Sequence, residues 1–259
     1  MITIVIHYSC DRKPQLLNTI ECLKDMSLYN SAEKILLVDG KSNIFPPDWK
    51  VIEVERDNPE FYNCSKIWNL GIKLASNELV LTLESDRILP KNWFSYVLPM
   101  VHTPEPFFIF NTELYSLNDN YDIDSIRSIR DNIDSHKDKL IEDFRVLNPN
   151  LGIGKKNPMS GCLLTTKTSF DLIGGFDERY IQAGYHDLDA FRKAYSIGAI
   201  FKVPKIRSIE LHQKHEYAGG MERFKTVNLH NAIKYFDKWN LPVHENIYKL
   251  AESLNVAIT

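Results

Sequence analysis

The stretch LVLTLESDRILP, residues 79–90, begins as an apolar, β-favouring run and then breaks into Glu84, Ser85 and Asp86 before Pro90. The apolar part predicts a buried strand. Two carboxylates one residue apart at the end of such a strand need a reason. One is a turn in which Asp86 caps a following helix, since Asp and Ser are favoured there. The other is a site for a divalent cation and a phosphate group, because hard cations prefer oxygen ligands.

The chain before this stretch alternates between strand and helix patterns. Strands are predicted at 2–8, 34–40, 49–56 and 78–84, and helices at 13–26 and 63–77. This alternation predicts an α/β fold with a mostly parallel central sheet flanked by helices. In such sheets ligands collect at the carboxyl ends of the strands. Polar clusters follow three of the predicted strands: His7–Tyr8–Ser9, Asp39–Gly40–Lys41 and Glu84–Ser85–Asp86.

The pattern changes after Pro90. We predict a short helix at 92–100, a strand at 107–114 and, in the charge-rich segment 117–147, a solvated helix or flap. Residues 161–180 indicate a strand, a short helix and a double-glycine turn, and 187–198 a helix closed by Gly198. Residues 201–217 indicate a strand that ends in histidines, and the chain from Met221 is predicted to be helical.

Composition limits the class of protein. The 259 residues are 44% hydrophobic and 25% charged, which fits a soluble globular protein with a sizeable core. The formal net charge of −3 shows no basic excess for nucleic acid or an anionic membrane. Four dispersed cysteines indicate reduced thiols in a cytoplasmic protein. No stretch approaches the roughly 18 apolar residues of a membrane span. The N-terminal MITIVIHYSC has no Lys or Arg and only a short apolar run, so it is not expected to be a signal peptide.

Two further groups of polar residues are candidates for chemistry. Asp187 and Asp189 begin a predicted helix, where acids favour the helix dipole, but two residues apart they point in different directions. We therefore expect only one of them to face a site, as a general base. His212 directly follows a strand and suits Mn²⁺ as a neutral imidazole, whereas His215 is interpreted as a surface residue or an outer neighbour of the site.

Several common sites are excluded by missing motifs. No G-x-G-x-x-G follows the first strand and no G-x-x-x-x-G-K-[ST] occurs, so neither a dinucleotide fingerprint nor a P-loop is present. The Ser and Cys residues show no nucleophile elbow.

Four fragments, taken in order, resemble the family 2-like glycosyltransferases of the GT-A fold, over residues 2–112 and 158–240. LLVDGKS resembles the strand that ends in Asp-x-x-Ser. NLGIKLASNELVLTLESD resembles the Asn-x-Gly-x-x-x-Ala helix that leads into the Asp-x-Asp strand. IGGFDERY followed by HDLDAFRK resembles the Gly-Gly-Phe-Asp-Glu … Glu-Asp-x-Asp-x-x-x-Arg block, and YFDKWN resembles a recurring Lys-Trp-Gly.

The resemblance implies a role for each matching position. Tyr8 and Asp39 would contact the base and ribose of the nucleotide, Glu84 would face the ribose or the metal, and Ser85 would bind the donor at the same site. Asp86 and His212 would bind Mn²⁺ or Mg²⁺. Gly174 and Gly175 would let the backbone approach the donor sugar or the acceptor. Asp187 would be the catalytic base. Two departures stand out. Glu84 replaces the usual first Asp, and the catalytic candidate His186 replaces the Glu before the base, where it would contact the acceptor, tune Asp187 or act as a second titrating group.

The implied reaction is metal-dependent transfer of a sugar from a nucleotide-diphosphate sugar, by default a UDP-sugar, to a hydroxyl of a glycan, lipid-linked or protein acceptor, with inversion. A non-catalytic nucleotide-sugar or glycan-binding protein on a degenerate scaffold is the alternative, motivated by the two departures. A nucleotidyltransferase would need a glycine-rich loop after the first strand, which HYSCDRKPQ lacks. The implied domains are a catalytic domain at 1–220, formed by a nucleotide-binding half (1–112), a variable helical insertion (113–157) and an acceptor half (158–220), followed by a C-terminal helical extension (221–259).

Overall fold

The strand patterns predicted before Pro90 form four strands of the molecule. The structure, a computed structural model, describes residues 1–9, 12–56, 62–110, 114–142, 161–182, 184–202, 208–210, 220–243, 245–254 and 256. Its strands are β1 (Ile2–Ser9), β2 (Glu33–Asp39), β3 (Lys50–Val54), β4 (Leu79–Glu84), β5 (Arg87–Ile88), β6 (Phe107–Phe110), β7 (Leu114–Leu117), β8 (Leu140–Glu142), β9 (Cys162–Thr166), β10 (Ile200–Lys202) and β11 (Ser208–Glu210).

The helices follow the predicted amphipathic segments. They are α1 (Lys13–Lys24), α2 (Cys64–Leu74), α3 (Trp93–Val97), α4 (Ile123–Asp131), α5 (Lys167–Leu172), α6 (His186–Ser196), α7 (Gly220–Lys238) and α8 (Glu245–Ser253). Helix α1 begins with a proline in its first turn, where the missing N–H costs nothing. Helix α2 begins at Asn63, whose side chain accepts a hydrogen bond from the Lys66 N–H at 3.0 Å.

Seven strands of the described chain form the central sheet in the order β10–β6–β9–β4–β1–β2–β3. Strand β1 pairs in parallel with β2 and β4, β2 with β3, and β10 with β6, whereas β9 runs antiparallel to β4 and β6. The sheet is therefore mostly parallel, as predicted. The carboxyl ends of β1, β2 and β4 meet at one edge, which we call the strand-end site.

Apolar cores cover both faces of this sheet. On one face Leu16, Ile20 and Leu23 of α1 and Trp93 and Phe94 of α3 pack against β1, β2 and β4. On the other face, residues of α2, α5 and α6 pack against the same strands. Gly71 lets α2 approach closely, because a Cβ there would lie 2.5 Å from Val5 Cγ1 and 2.6 Å from Leu37 Cδ1.

The region after Pro90 differs from the prediction. The strand expected at 107–114 is two strands in different sheets, because β6 joins the central sheet and β7 joins a second sheet, in the order β5–β11–β7–β8. Within 117–147, where we expected a solvated helix or flap, α4 is a helix, but the expectation that it is solvated is wrong for one of its faces. That helix buries Ile126 and Ile129 against Cys22, and Arg130, 4% exposed, donates to Asp25 at 3.1 Å. In the sequence, charged residues lie between the apolar positions of α4, so its narrow apolar face was not recognised.

The C-terminal helices have their own core. Tyr180, which precedes α6, packs there with Leu229, Tyr235 and Phe236 of α7 and Ile247 of α8. Among the described residues, no helix combines the length and the apolar character that a membrane crossing requires.

Candidate functional site

The ends of three parallel strands bring the predicted polar clusters together. In the pairing register His7 lies opposite Glu84 and Ser9 lies opposite Asp39. Because neighbouring strands are about 4.8 Å apart, residues that follow the three strands share one edge of the sheet. The strand-end site therefore contains all three clusters predicted from the sequence.

The turn Glu84–Ser85–Asp86 is fixed by its backbone. The Glu84 N–H donates to the Gly161 carbonyl at 2.9 Å, and the Ser85 N–H donates to the His7 carbonyl at 3.1 Å. The Ser85 carbonyl accepts a hydrogen bond from the buried Thr19 hydroxyl of α1 at 2.8 Å. Strand β5, not a helix, follows Asp86, so the helix-capping explanation of this acid is wrong.

Each acid at the strand-end site is paired with an arginine. Arg12 Nη1 lies 2.9 Å from Asp86 Oδ2, Arg56 Nη2 lies 2.6 Å from Asp39 Oδ2, and Arg87 Nη2 lies 3.1 Å from Glu84 Oε2. Asp86 and Asp39 are 1% and 3% exposed. Buried carboxylates are stable when they are paired and hydrogen-bonded in this way.

A small pocket, open to solvent, lies at this edge. Its lining residues come from β1, the start of α1, the start of α2 and the end of β4: His7, Ser9, Arg12, Tyr62, Cys64, Glu84 and Ser85. Burial raises the pKa of the Cys64 thiol, so it stays neutral and is a poor nucleophile.

His7 is the residue in this pocket whose chemistry is least expected. It is 7% exposed, and its ring centroid lies 5.6 Å from that of Tyr62 and 5.7 Å from that of Trp68. Burial lowers the pKa of His7 to about 4, because desolvation outweighs the attraction of Asp39 and Glu84. Among the described residues nothing hydrogen-bonds its Nε2.

The strand alternation separates His7 from its neighbour Tyr8. Tyr8 is fully buried in the core on the α1 face, and its hydroxyl donates to Asn43 Oδ1 at 2.8 Å. It does not line the pocket. Successive side chains of a strand point to opposite faces of the sheet. Because Tyr8 points to the α1 face, His7 and Ser9 point to the opposite face.

The described residues do not fit a divalent cation at the strand-end site. Among them, no three His, Cys, Asp or Glu side chains converge on one point. Asp86 Oδ2 and Glu84 Oε2 each accept a hydrogen bond from an arginine guanidinium. A cation bound to the same carboxylate would lie next to this positive charge and be repelled by it. His212, the other predicted ligand, lies outside the described residues.

The double-glycine turn lies against the middle of α2, at Asn69. Gly174 and Gly175 have φ of 68° and 70°, which glycine adopts without strain. The N–H of Phe176 donates to Asn69 Oδ1 at 2.9 Å, and a Cβ on Gly175 would meet that same oxygen at 2.9 Å. Gly175 therefore packs the turn onto α2, whereas a Cβ on Gly174 would meet nothing within 4 Å; contact of either glycine with a donor or acceptor stays a prediction.

The chain then connects this turn to the pocket and to α6. The Gln182 N–H donates to the carbonyl of Tyr62, a pocket residue, at 2.8 Å. Gln182 and Tyr185 have φ of 52° and 65°, in the left-handed region that non-glycine residues rarely occupy. Such strain is often found at functional sites.

The two acids of HDLDAFRK have different environments. Asp189 is completely buried, and Lys238 Nζ lies 2.7 Å from its Oδ1, which also accepts from Trp239 Nε1 at 2.8 Å. Asp187 is half-buried, and its Oδ1 accepts the Leu188 N–H at 2.9 Å. The expectation that the two acids point in different directions is met, and Asp187 is the more accessible.

The other residues of this block have structural contacts. His186 is 3% exposed and its ring lies 5.6 Å from that of Phe176. The KWN fragment at the end of α7 supplies Lys238 and Trp239, which hold Asp189. The pairing of Arg12 with Asp86, 74 positions away, had no signal in the sequence.

Solved structures identify this architecture as the GT-A fold, which confirms the fold predicted from the motifs. The mannosyltransferase PcManGT from Pyrobaculum calidifontis, solved with GDP-Man and Mn²⁺, aligns over 99% of this chain and 70% of its own, with a TM-score of 0.56 and 14% identity. GalNAc-T7, solved with UDP, GalNAc and Mn²⁺, aligns over 99% of this chain with a TM-score of 0.62 and 12% identity.

A third structure, S. aureus TarS residues 1–349, aligns over 98% of this chain and 70% of its own, at 14% identity and a TM-score of 0.50. This chain spans only 54% of the GalNAc-T7 chain. No protein-family model matches the sequence, and no curated protein matches it. At these identities the likeness establishes the fold.

Proposed function

We propose that this protein is a glycosyltransferase that moves a sugar from a nucleotide-diphosphate sugar to a hydroxyl group of an acceptor, with inversion. The observation that carries the proposal is the pocket at the carboxyl ends of β1 and β4 in a GT-A fold. In open α/β sheets this is where ligands bind.

The donor would lie in this pocket. Asp39 is proposed to contact the ribose, and Glu84 and Ser85 the donor next to it. The Tyr8 hydroxyl holds Asn43, so its proposed contribution is to position the loop after β2 against the base. UDP stays the default nucleotide, and GDP is tested beside it because PcManGT was solved with GDP-Man.

The proposed base is Asp187. The acceptor oxygen attacks the anomeric carbon, the bond from that carbon to the phosphate oxygen breaks, and the nucleoside diphosphate leaves. The acceptor proton passes to the Asp187 carboxylate. His186 and the turn at Gly174 and Gly175 are proposed to shape the acceptor side, where His186 packs on Phe176.

Mn²⁺ accompanies the nucleotides in the PcManGT and GalNAc-T7 structures. A cation on Asp86 and His212 stays the prediction from sequence, but the described contacts of Asp86 do not favour it.

The test is a turnover assay of the wild-type chain and of Asp187→Asn with UDP- and GDP-sugars. Wild-type protein should release nucleoside diphosphate, and the variant should lose roughly 10²–10⁴-fold in rate while it still binds the nucleotide. NMR of the product should show inverted anomeric configuration. Nearly full activity in Asp187→Asn would remove this residue from the role of base.

The rival function, a non-catalytic binder of nucleotide sugars, gives a different result in the same assay. Nucleotide sugars would then bind without any release of nucleoside diphosphate.

A further inference from the structure

We infer that the guanidinium of Arg12, at the start of α1, binds the diphosphate of the donor in place of a divalent cation on Asp86. The inference rests on the proposed function, because it takes the ligand of the pocket to be a nucleotide-diphosphate sugar. It assigns to Arg12 a binding role that the motif comparison gives to Asp86.

Arg12 lies between the pocket and Asp86. Arg12 lines the pocket with a side chain that is 19% exposed. Asp86 is 1% exposed and does not line it. A ligand that enters the pocket therefore meets the guanidinium, and the carboxylate lies behind it.

The guanidinium of Arg12 is held in place by hydrogen bonds around it. Arg12 Nη1 donates to Asp86 Oδ2 at 2.9 Å, and the turn that carries Asp86 is tied to α1 by the Thr19–Ser85 hydrogen bond of 2.8 Å. A guanidinium held in place loses less side-chain entropy when it binds an anion. Asp86 thus acts as the residue that orients Arg12.

The N-terminus of α1 adds positive charge next to the Arg12 guanidinium. Arg12 is the N-cap residue of the 12-residue helix α1, which has no side-chain cap and no acidic residue in its first turn. The first N–H groups of a helix and its dipole favour an anion, although Pro14 contributes no N–H. Guanidinium and helix terminus therefore attract a diphosphate from the same place.

An independent observation also indicates a ligand at this point. Among the described residues, His7 Nε2 has no hydrogen-bond partner although the side chain is more than nine-tenths buried and lines the same pocket. A buried polar atom without a partner costs free energy. A neutral imidazole that carries its proton on Nε2 can donate it to an oxygen of the ligand.

The charge balance is compatible with an anion. Glu84 also lines the pocket, but Arg87 donates to its Oε2 through Nε at 3.2 Å and Nη2 at 3.1 Å. Asp39 is paired with Arg56 in the same way. The three acids of the strand-end site are matched by three arginines, so they do not need a metal ion to offset their charge.

Calorimetric titration of the full chain with UDP and with GDP, in EDTA and in Mn²⁺, tests the inference. Affinity in EDTA should stay within about threefold of that in Mn²⁺, and Arg12→Ala should weaken binding roughly tenfold or more in both buffers. The nucleotide affinity of Arg12→Lys, which keeps the positive charge, should lie between that of wild type and that of Arg12→Ala. Asp86→Asn should retain binding in EDTA.

Arg127→Ala is the matched control. It removes another arginine–aspartate pair, with Arg127 Nε 2.9 Å from Asp25 Oδ2 between α4 and the end of α1, and should leave nucleotide binding unchanged. Thermal unfolding of each variant checks its folding. If Arg12→Ala does not fold, Arg12→Lys and Asp86→Asn decide the result.

Binding that requires Mn²⁺, disappears in Asp86→Asn and survives in Arg12→Ala would overturn this inference and leave the proposed function intact. If the wild-type chain binds neither nucleotide in either buffer, both the inference and the proposed function fail.

Discussion

At the scale of single residues, the strand-end site shows which part of its chemistry a sequence can reveal. The clusters after β1, β2 and β4 were predictable because apolar runs that end in polar residues mark strand ends. The pairing of Arg12 with Asp86 was not, because it depends on where α1 crosses the sheet edge. The choice between His7 and Tyr8 follows from the strand's alternation once Tyr8 is known to lie in the core on the α1 face.

His7 gives a prediction about the pH dependence of stability. Its pKa is lowered from 6.5 to about 4 in the folded protein. Above pH 6.5 both states are neutral and the group contributes nothing; below it the unfolded chain binds a proton that the folded chain excludes. Stability should therefore fall as the pH falls, with about 2 kcal/mol lost through this group by pH 5.

Urea unfolding at pH 7 and pH 5 measures this effect. His7→Phe keeps an aromatic ring beside Tyr62 and Trp68 and removes the titrating group, so it should lose about 2 kcal/mol less than wild type between the two pH values. His102→Phe, at an exposed loop position, is the control for loss of a histidine. Equal pH dependence in wild type and His7→Phe would contradict the assignment.

At the scale of secondary-structure elements, long periodic segments were predicted and short pairings were not. Strands β1, β2 and β4 and helices α1 and α2 carry strong apolar patterns, and their positions agree with the prediction within a few residues. The two-residue strand β5 and the three-residue strands β8 and β11 carry no such pattern. Their pairing is decided by neighbours distant in sequence.

The contact between α6 and α7 gives a prediction at this scale. Asp189, fully buried in α6, holds Lys238 and Trp239 at the end of α7. Asp189→Asn should lower the free energy of unfolding by about 3 kcal/mol, since it leaves a buried ion pair without one partner. Asp187→Asn, two positions away and half-buried, should change it by less than about 1 kcal/mol.

Urea unfolding of the two variants, paired with the turnover assay, separates their roles. Asp187→Asn should be stable and inactive, whereas Asp189→Asn should be destabilised. Equal losses of stability would mean that both acids hold α6 in place.

At the scale of the whole molecule, the fold is established and the reaction is proposed. The GT-A architecture is shared with PcManGT and GalNAc-T7 at 14% and 12% identity, so the sheet and its helices persist where few residues do. At the strand-end site of this chain each of three acids is paired with an arginine. The sequence motifs predicted where the acids lie, but not which cations they bind.

A crystal structure of the protein with UDP or GDP tests the central claim most directly. The account predicts the nucleotide at the carboxyl ends of β1, β2 and β4, with its diphosphate on Arg12 and a ligand atom within hydrogen-bond distance of His7 Nε2. A nucleotide bound elsewhere, with the strand-end site empty, would contradict the account.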